Sequence, residues 1–308
     1  CLRQVWYSKK RVPRTNTSTD DNQFVFMMGN AGEAGLQEAW EGQGILLEAN
    51  SKMVHNLAKN PYDDEIRLSG EVDAILRWSE LVEFDDGIER VQIDPTKAIG
   101  IEVKTKYGHF GKAQIMGNRN SVYENGFPQI EHLMQTGLYL AAREKYEKFH
   151  NVEIPYFVIT YVLRDNGVHK SFRVELSDGY DGRIIVKDMN GKELEPRAEL
   201  TLDWGVKPQK IDLTIDMMRE RYYEQLNNLK SDTPPAREFA LRYTDDEAKR
   251  LFERGDHGKK PLAEIGDWNC SYCDWKDTCY PQGIFTVDVE NGILTVQEAL
   301  AEYGIGSP

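Results

Sequence analysis

Cysteine is scarce in this 308-residue chain: four occur, and none lies between Cys1 and Cys270. Disulfides therefore cannot organise the stretch between them. Long apolar runs are missing as well. None approaches the roughly 18 to 20 residues that a membrane-spanning helix needs, so no membrane partner is expected. Basic residues are in deficit: 38 Lys and Arg against 51 Asp and Glu give a net charge of −13. That argues against a nucleic-acid surface spread over the whole molecule. A local basic groove stays compatible with it, because phosphate attraction depends on the groove and not on the total. Internal repeats, low-complexity tracts and a linker between independent domains are lacking too. No signal-peptide pattern opens the chain, where Arg3, Lys9, Lys10, Arg11 and Arg14 interrupt every apolar stretch. A cytoplasmic setting is expected, and there cysteines are more often metal ligands or reactive thiols than disulfides.

What is present is an ordinary globular composition, 40% hydrophobic and 29% charged, long enough to bury a sizeable core without a staple. The basic residues of the first 14, interleaved with Trp6 and Tyr7, read either as a strand-binding groove or as a solvated arm. Residues 15–30 read as a polar connection. From about Glu33 to Lys59 the spacing of Leu36, Trp40, Leu47 and Val54 predicts a helix, ended by Asn60-Pro61. Residues 66–80, 88–93 and 97–106 read as strands, with turns at Asp85-Asp86-Gly87 and Asp94-Pro95. A helix is predicted over 128–149, strands over 156–163 and 170–176, and a further helix over 211–229. Residues 178–205 read as an inserted hairpin around Asn190-Gly191.

The chemistry gathers in Ile101-Glu102-Val103-Lys104-Thr105-Lys106. Strand alternation puts Ile101 and Val103 on one face and Glu102, Lys104 and Lys106 on the other. A carboxylate beside a lysine can hold a divalent ion, which lowers the pKa of its water, while the lysine stabilises developing charge. An isolated Glu-x-Lys is usually a half-exposed salt bridge. Here Ser69-Gly70-Glu71-Val72-Asp73 lies upstream, and a hairpin-like connection lets Asp73 meet Glu102 on adjacent strands. Two converging carboxylates repel unless a cation sits between them. Downstream, Gln135 and Tyr139 share one helix face at i and i+4. Asp85, Asp86 and Asp94 read as turn residues, and His55 and His109 as structural or loop histidines.

Gly-x-x-Asp, then Glu-x-Lys, then a helix with Gln-x-x-x-Tyr resembles the RecB-like branch of the PD-(D/E)xK nuclease superfamily. Cys1, followed by Cys270-x2-Cys273-x5-Cys279, is similar to the iron–sulfur members of that branch, among them CRISPR-associated RecB-type exonucleases and phage relatives. The start, Cys1-Leu2-Arg3-Gln4-Val5-Trp6-Tyr7, resembles their Cys-x-Arg-x-x-(Trp/Tyr) opening. The resemblance implies an α/β fold: a restriction-endonuclease-like central mixed sheet flanked by helices, its ends joined by a four-cysteine cluster. It implies a nuclease domain over 1–280, with 1–14 and 268–280 forming the cluster region, and a tail over 281–308. Asp73 and Glu102 become ligands of Mg2+ or Mn2+ together with the Val103 carbonyl, Lys104 the catalytic lysine, and Gln135 and Tyr139 supporting residues.

Family members often carry a metal-binding histidine on the first helix. This chain has none there; Gln37 is the nearest positional match, and Glu33, Glu38 or Glu41 can supply an acid instead. The implied activity is metal-dependent hydrolysis of DNA, as an exonuclease on single-stranded ends in recombination, repair or phage DNA processing. DNA is the expected partner, contacted by Arg3, Lys9, Lys10, Arg11 and Lys106, alongside recombination or helicase proteins. The location would be the host cytoplasm for a phage-encoded chain. Zinc also accepts four thiolates, as an iron–sulfur cluster does, and a disulfide arrangement ranks last. The resemblance favours [4Fe–4S] over Zn2+. The alternative to an enzyme is a non-catalytic nucleic-acid-binding or scaffold subunit with a structural metal centre.

Overall fold

Alternation of apolar residues along Val72–Leu76 and Ile99–Val103 puts one face of each segment in contact with a helix, and a sheet forms around them. The computed structural model describes residues 1–16, 20–56, 67–83, 89–106, 109–117, 125–164, 166–177, 182–195, 213–236, 263–264, 273–279 and 286–287. The chain divides into two compact units. One comprises Phe24–Leu200 and Pro208–Glu220; the other comprises Cys1–Gln23, Thr201–Lys207 and Arg221–Pro308.

The larger unit holds a six-stranded mixed sheet in sequential order: β1 (Leu46–Asn56), β2 (Arg67–Glu83), β3 (Glu89–Lys106), β4 (Phe157–Leu163), β5 (His169–Leu176) and β6 (Ile184–Lys187). All neighbours are antiparallel except β3 and β4. A parallel pair needs a crossover, and here it contains α3 (His109–Met116) and α4 (Ile130–His150). Leu36 and Trp40 of α2 (Asp20–Gly42) pack on Ala74, Leu76, Ile101, Val103, Tyr156 and Val158. Each such side chain buried fully contributes about 1.5–3 kcal/mol. Gly137 of α4 lies against Ile184 and against Met218 of α5 (Ile215–Lys230).

Several expectations need correction. The helix expected over 33–59 runs over Asp20–Gly42 instead, and the polar stretch from Asp20 is its first part. Gly44 turns the chain at φ +71°, a conformation glycine adopts without a steric penalty. Residues 46–56 then form β1. Asp94-Pro95 does not end a strand: β3 runs through it with a register shift opposite Arg77 and Trp78. Proline has no N–H to give a ladder and is tolerated at such an irregularity, while the Asp94 carboxylate accepts from the Thr96 N–H at 2.8 Å. Ile184–Lys187, expected in an inserted hairpin, is the sixth strand of the main sheet. Residues 85–87 and 196–212 lie outside the described residues, as do 57–66.

In the smaller unit α1 (Leu2–Lys9) buries Trp6 and Tyr7 against Trp275, with Val12, Leu229, Cys273 and Cys279 around them. Trp275 donates its Nε1–H to the Val12 carbonyl at 2.8 Å, and Trp6 donates to the Ser231 carbonyl at 3.1 Å. A short pairing joins Ala263–Glu264 to Thr286–Val287.

Candidate functional site

The site lies in a fork of the sheet. β2 and β3 pair from Glu83 and Glu89 down to Ala74 and Ile101. Past that point β2 continues with β1 alone, to Arg67, and β3 continues with β4 alone, to Lys106. Asp73 and Glu102 are the first residues beyond the last β2–β3 pair. The Asp73 carboxylate takes over the ladder's role there, accepting the Val103 N–H at 2.6 Å.

Two glycines open room beside the fork. A Cβ on Gly70 would sit 2.5 Å from the Tyr139 ring, and one on Gly100 would sit 2.0 Å from the Phe157 ring. These two rings stand 6.1 Å apart. Tyr139 donates its hydroxyl to the Glu71 carbonyl at 2.7 Å and accepts from Gln135 Nε2 at 2.8 Å. Gln135 and Tyr139 thus tie α4 to β2 one residue from Val72. The Tyr139 hydroxyl is pushed well above its ordinary range by burial, and then by the charge of Glu102.

Glu102 is completely buried, at 0% exposure. One oxygen accepts from Lys104 Nζ at 2.5 Å; the other, Oε2, has no hydrogen-bond partner. Burial, then the neighbouring Asp73 charge, raises its carboxyl from 4.5 to about 7, against the pull of Lys104. Asp73 is raised as well, by burial and by Glu71, although its bond to Val103 and the Lys104 charge oppose this. Glu33 is raised by its own burial and by Asp73. These carboxylates have incomplete compensation, and Oε2 of Glu102 is a buried oxygen without a hydrogen-bond partner. Their all-oxygen donor set suits a hard divalent ion such as Mg2+ or Mn2+.

Of the first-helix candidates, Gln37 and Glu33 reach the site. Gln37 Nε2 donates to the Asp73 carbonyl at 2.8 Å and to Glu33 Oε1 at 3.2 Å. Glu38 and Glu41 are exposed. Glu33 lies one helix turn before Gln37 on α2, and the hydrogen bond from Gln37 ties it to the site. Among the described residues, no group of three or more His, Cys, Asp or Glu is placed to hold a metal ion.

Sequence reasoning missed His132 and Tyr161. Tyr161 is fully buried. Its hydroxyl accepts the Gln129 N–H at 3.0 Å and lies 2.7 Å from His132 Nδ1. Lys106 donates to Gln129 Oε1, and burial lowers its pKa. The side chains of His55 and His109 lie outside the described residues.

Of the expected N-terminal contacts, Arg3 and Lys10 are engaged locally. Arg3 Nε donates to the Pro235 carbonyl at 2.7 Å, and its Nη1 lies 3.6 Å from Cys279 Sγ. Lys10 lies 3.4 Å from Asp232 and over the Trp6 ring. Lys9 and Arg11 are exposed. Cys1 caps α1, and the Cys273 thiol is raised by burial, with smaller influences from Cys279 and the Cys1 amino group. Cys273 and Cys279 lie together in the cluster around Trp275. Cys270 lies outside the described residues.

No family model matches the chain, and no curated protein matches it. A solved structure described as the crystal structure of SSO0001 matches with a TM-score of 0.39 and 14% identity, over 91% of this chain and 82% of that one. A likeness at that score carries no argument. Among the described residues no helix is long and apolar enough to cross a membrane.

Proposed function

We propose that this protein is a divalent-metal-dependent DNA nuclease built on a restriction-endonuclease-like sheet. One observation carries the reading: Glu102 is fully buried beside Asp73, with Lys104 on one oxygen and nothing on the other. A cation bound there would satisfy the oxygen that Lys104 leaves without a partner.

Asp73, Glu102 and the Val103 carbonyl would hold Mg2+ or Mn2+, with Glu33 or Gln37 at the place of the family's histidine. Bound there, the ion supplies positive charge at the scissile phosphate and promotes ionisation of the attacking water. Lys104 keeps two N–H donors beyond its bond to Glu102 and directs them at charge developing on the phosphoryl oxygens. Asp73 fixes the end of β3 through the Val103 N–H, and so fixes the spacing of Glu102 and Lys104. Gln135 and Tyr139 hold β2 in register beside it. Single-stranded DNA ends are the proposed substrate, in recombination, repair or phage DNA processing. Cys1, Cys270, Cys273 and Cys279 would hold a [4Fe–4S] cluster, or Zn2+ in its place, as a staple of the smaller unit.

The test is incubation with end-labelled linear single- and double-stranded DNA in Mg2+ or Mn2+. Cleavage is expected, with Asp73→Ala expected to abolish it and Lys104→Ala to slow it about 10²–10³-fold. Unchanged cleavage in both variants removes the site assignment. DNA binding without cleavage in the wild-type protein selects the scaffold reading instead. Anaerobic purification with broad visible absorption, lost in Cys279→Ser, separates iron–sulfur from zinc.

A further inference from the structure

Tyr161 of β4 is the register partner of Lys104 on β3, one strand spacing of about 4.8 Å away and on the same face of the sheet. Phe172 of β5 meets its ring edge-on at 5.9 Å. The side chain is fully buried, so its hydroxyl is held in place. α4 covers this face of the sheet. His132, Gln135 and Tyr139 fall at i, i+3 and i+7, on one side of that helix. Two of the three already belong to the fork: Gln135 donates to Tyr139, and Tyr139 donates to the Glu71 carbonyl. His132 is the third. Tyr139 lies beside Phe157, the register partner of Gly100, whereas the His132 ring lies 5.5 Å from that of Tyr161. The histidine therefore stands at the level of Lys104, four residues further along β3.

The hydrogen bonds decide which nitrogen of His132 carries the proton. The Tyr161 hydroxyl accepts the Gln129 N–H at 3.0 Å and lies 2.7 Å from His132 Nδ1. A backbone N–H can only donate, so the hydroxyl keeps its own proton to give. Among the described residues, the acceptor in its reach is Nδ1. Nδ1 is then unprotonated, and the proton of the neutral imidazole sits on Nε2. Burial, then the charges of Lys106 and Lys104, push His132 down to about 3, which keeps the ring neutral. Among the described residues no hydrogen bond takes Nε2. Tyr161 thus fixes a neutral N–H donor on the face that carries Glu102 and Lys104.

We infer that His132 is a further catalytic residue, whose Nε2–H donates to a non-bridging oxygen of the scissile phosphate beside Lys104, and that Tyr161 is its positioning residue. The inference rests on the nuclease reading. A neutral hydrogen bond is worth about half a charge-assisted one. Where Lys104 contributes about 10²–10³ in rate, His132 contributes roughly 10–30-fold. The test is the cleavage kinetics of end-labelled single-stranded DNA in Mg2+, beside a thermal melt and nitrogen NMR of the histidine rings.

His132→Ala is expected to lower kcat roughly 10–30-fold and to move KM less. Two amide variants separate catalysis from structure. A glutamine amide reaches the place of Nε2, and an asparagine amide reaches the place of Nδ1. His132→Gln is therefore expected to recover most of the rate, and His132→Asn, which serves Tyr161 but not the phosphate, none of it. Tyr161→Phe is expected to cost about two- to fivefold in kcat, because the freed ring samples both tautomers, and the NMR signals should shift from one tautomer to a mixture. If His132→Ala does not fold, the glutamine and asparagine variants carry the test. An unchanged kcat in His132→Ala, a better rescue by asparagine than by glutamine, or an imidazole proton on Nδ1 overturns the inference and leaves the nuclease reading standing. A wild-type protein that cleaves no DNA overturns both.

Discussion

The fork between β2 and β3 and the aromatic cluster around Trp275 use burial in opposite ways. At the fork it falls on charge: Glu102 is enclosed with one oxygen unpartnered, and Asp73 and Glu33 are held above their ordinary range. Around Trp275 it falls on rings, and each indole N–H has a backbone acceptor. The first arrangement opposes folding, a cost the proposed metal would offset. The second favours folding and asks nothing of a ligand. If that contrast holds, variants of the two regions separate cleanly into losses of activity and losses of stability.

The largest effect is expected in the smaller unit. Trp275 is 4% exposed, touches Tyr7 and is bonded to Val12. Trp275→Ala should cost roughly 3–5 kcal/mol, as large-to-small aromatic substitutions in cores do, measured by denaturant unfolding. A loss below about 1 kcal/mol would place the cluster outside the stabilising core and break the comparison.

Lys104→Ala comes next and should behave in the opposite sense. Removing one donor to developing charge typically costs about 10²–10³ in rate. The measurement is single-turnover cleavage beside a thermal melt. A Tm loss as large as that of Trp275→Ala would make Lys104 a structural partner of Glu102 rather than an active one.

How much of this was legible follows from which signals are local. Glu102, Lys104 and Asp73 could be read because strand alternation separates Glu102 and Lys104 from Ile101 and Val103, and because Gly70 and Asp73 sit three residues apart on one strand. Gln135 and Tyr139 could be read because one helix turn joins them. β1 was misread as helix because Leu36, Trp40 and Leu47 keep a helical spacing across the break, and the punctuation lay in Gly42 and Gly44. Pro95 looked like a strand end because its irregularity is absorbed by a register shift with β2, which one strand alone does not display. His132 was invisible for a stronger reason: the crossover brings it to Tyr161 of β4, and only the pairing of β3 with β4 reveals it. Gly70 and Gly100 carried a usable signal, since each makes room for a ring.

The third effect depends on pH. Glu102 titrates near 4.5 unfolded and about 7 in the fold. With the folded value raised, the unfolded state loses its proton first as pH rises. The stability contributed by the protonated form is therefore full below pH ~4.5 and is lost as pH rises through about 7. Metal-free protein should lose on the order of 3 kcal/mol from this group across that window. Mg2+ or Mn2+ should restore stability at pH 8 and do little at pH 5. Glu102→Gln should flatten the pH dependence and remove the metal response together. A metal-free protein equally stable at both ends of the window would contradict the buried, under-compensated carboxylate.

The smallest effect sharpens the boundary between the two kinds of burial. Tyr139 belongs to both: its ring fills the space left by Gly70 and lies near Phe157, while its hydroxyl joins Glu71 and Gln135. Tyr139→Phe keeps the ring and removes the hydroxyl. It leaves the Glu71 carbonyl and the Gln135 amide without that partner, at a cost of about 1–2 kcal/mol. The Tm should fall by a few degrees. Cleavage should slow less than tenfold, because the hydroxyl holds β2 and not the phosphate. Adding Gly70→Ala tests the ring separately, since its new methyl meets Tyr139 at 2.5 Å and forces the ring away from β2. That variant should lose more stability than Tyr139→Phe. If the two ranked in reverse, the hydroxyl rather than the ring would be the main tie between α4 and the fork.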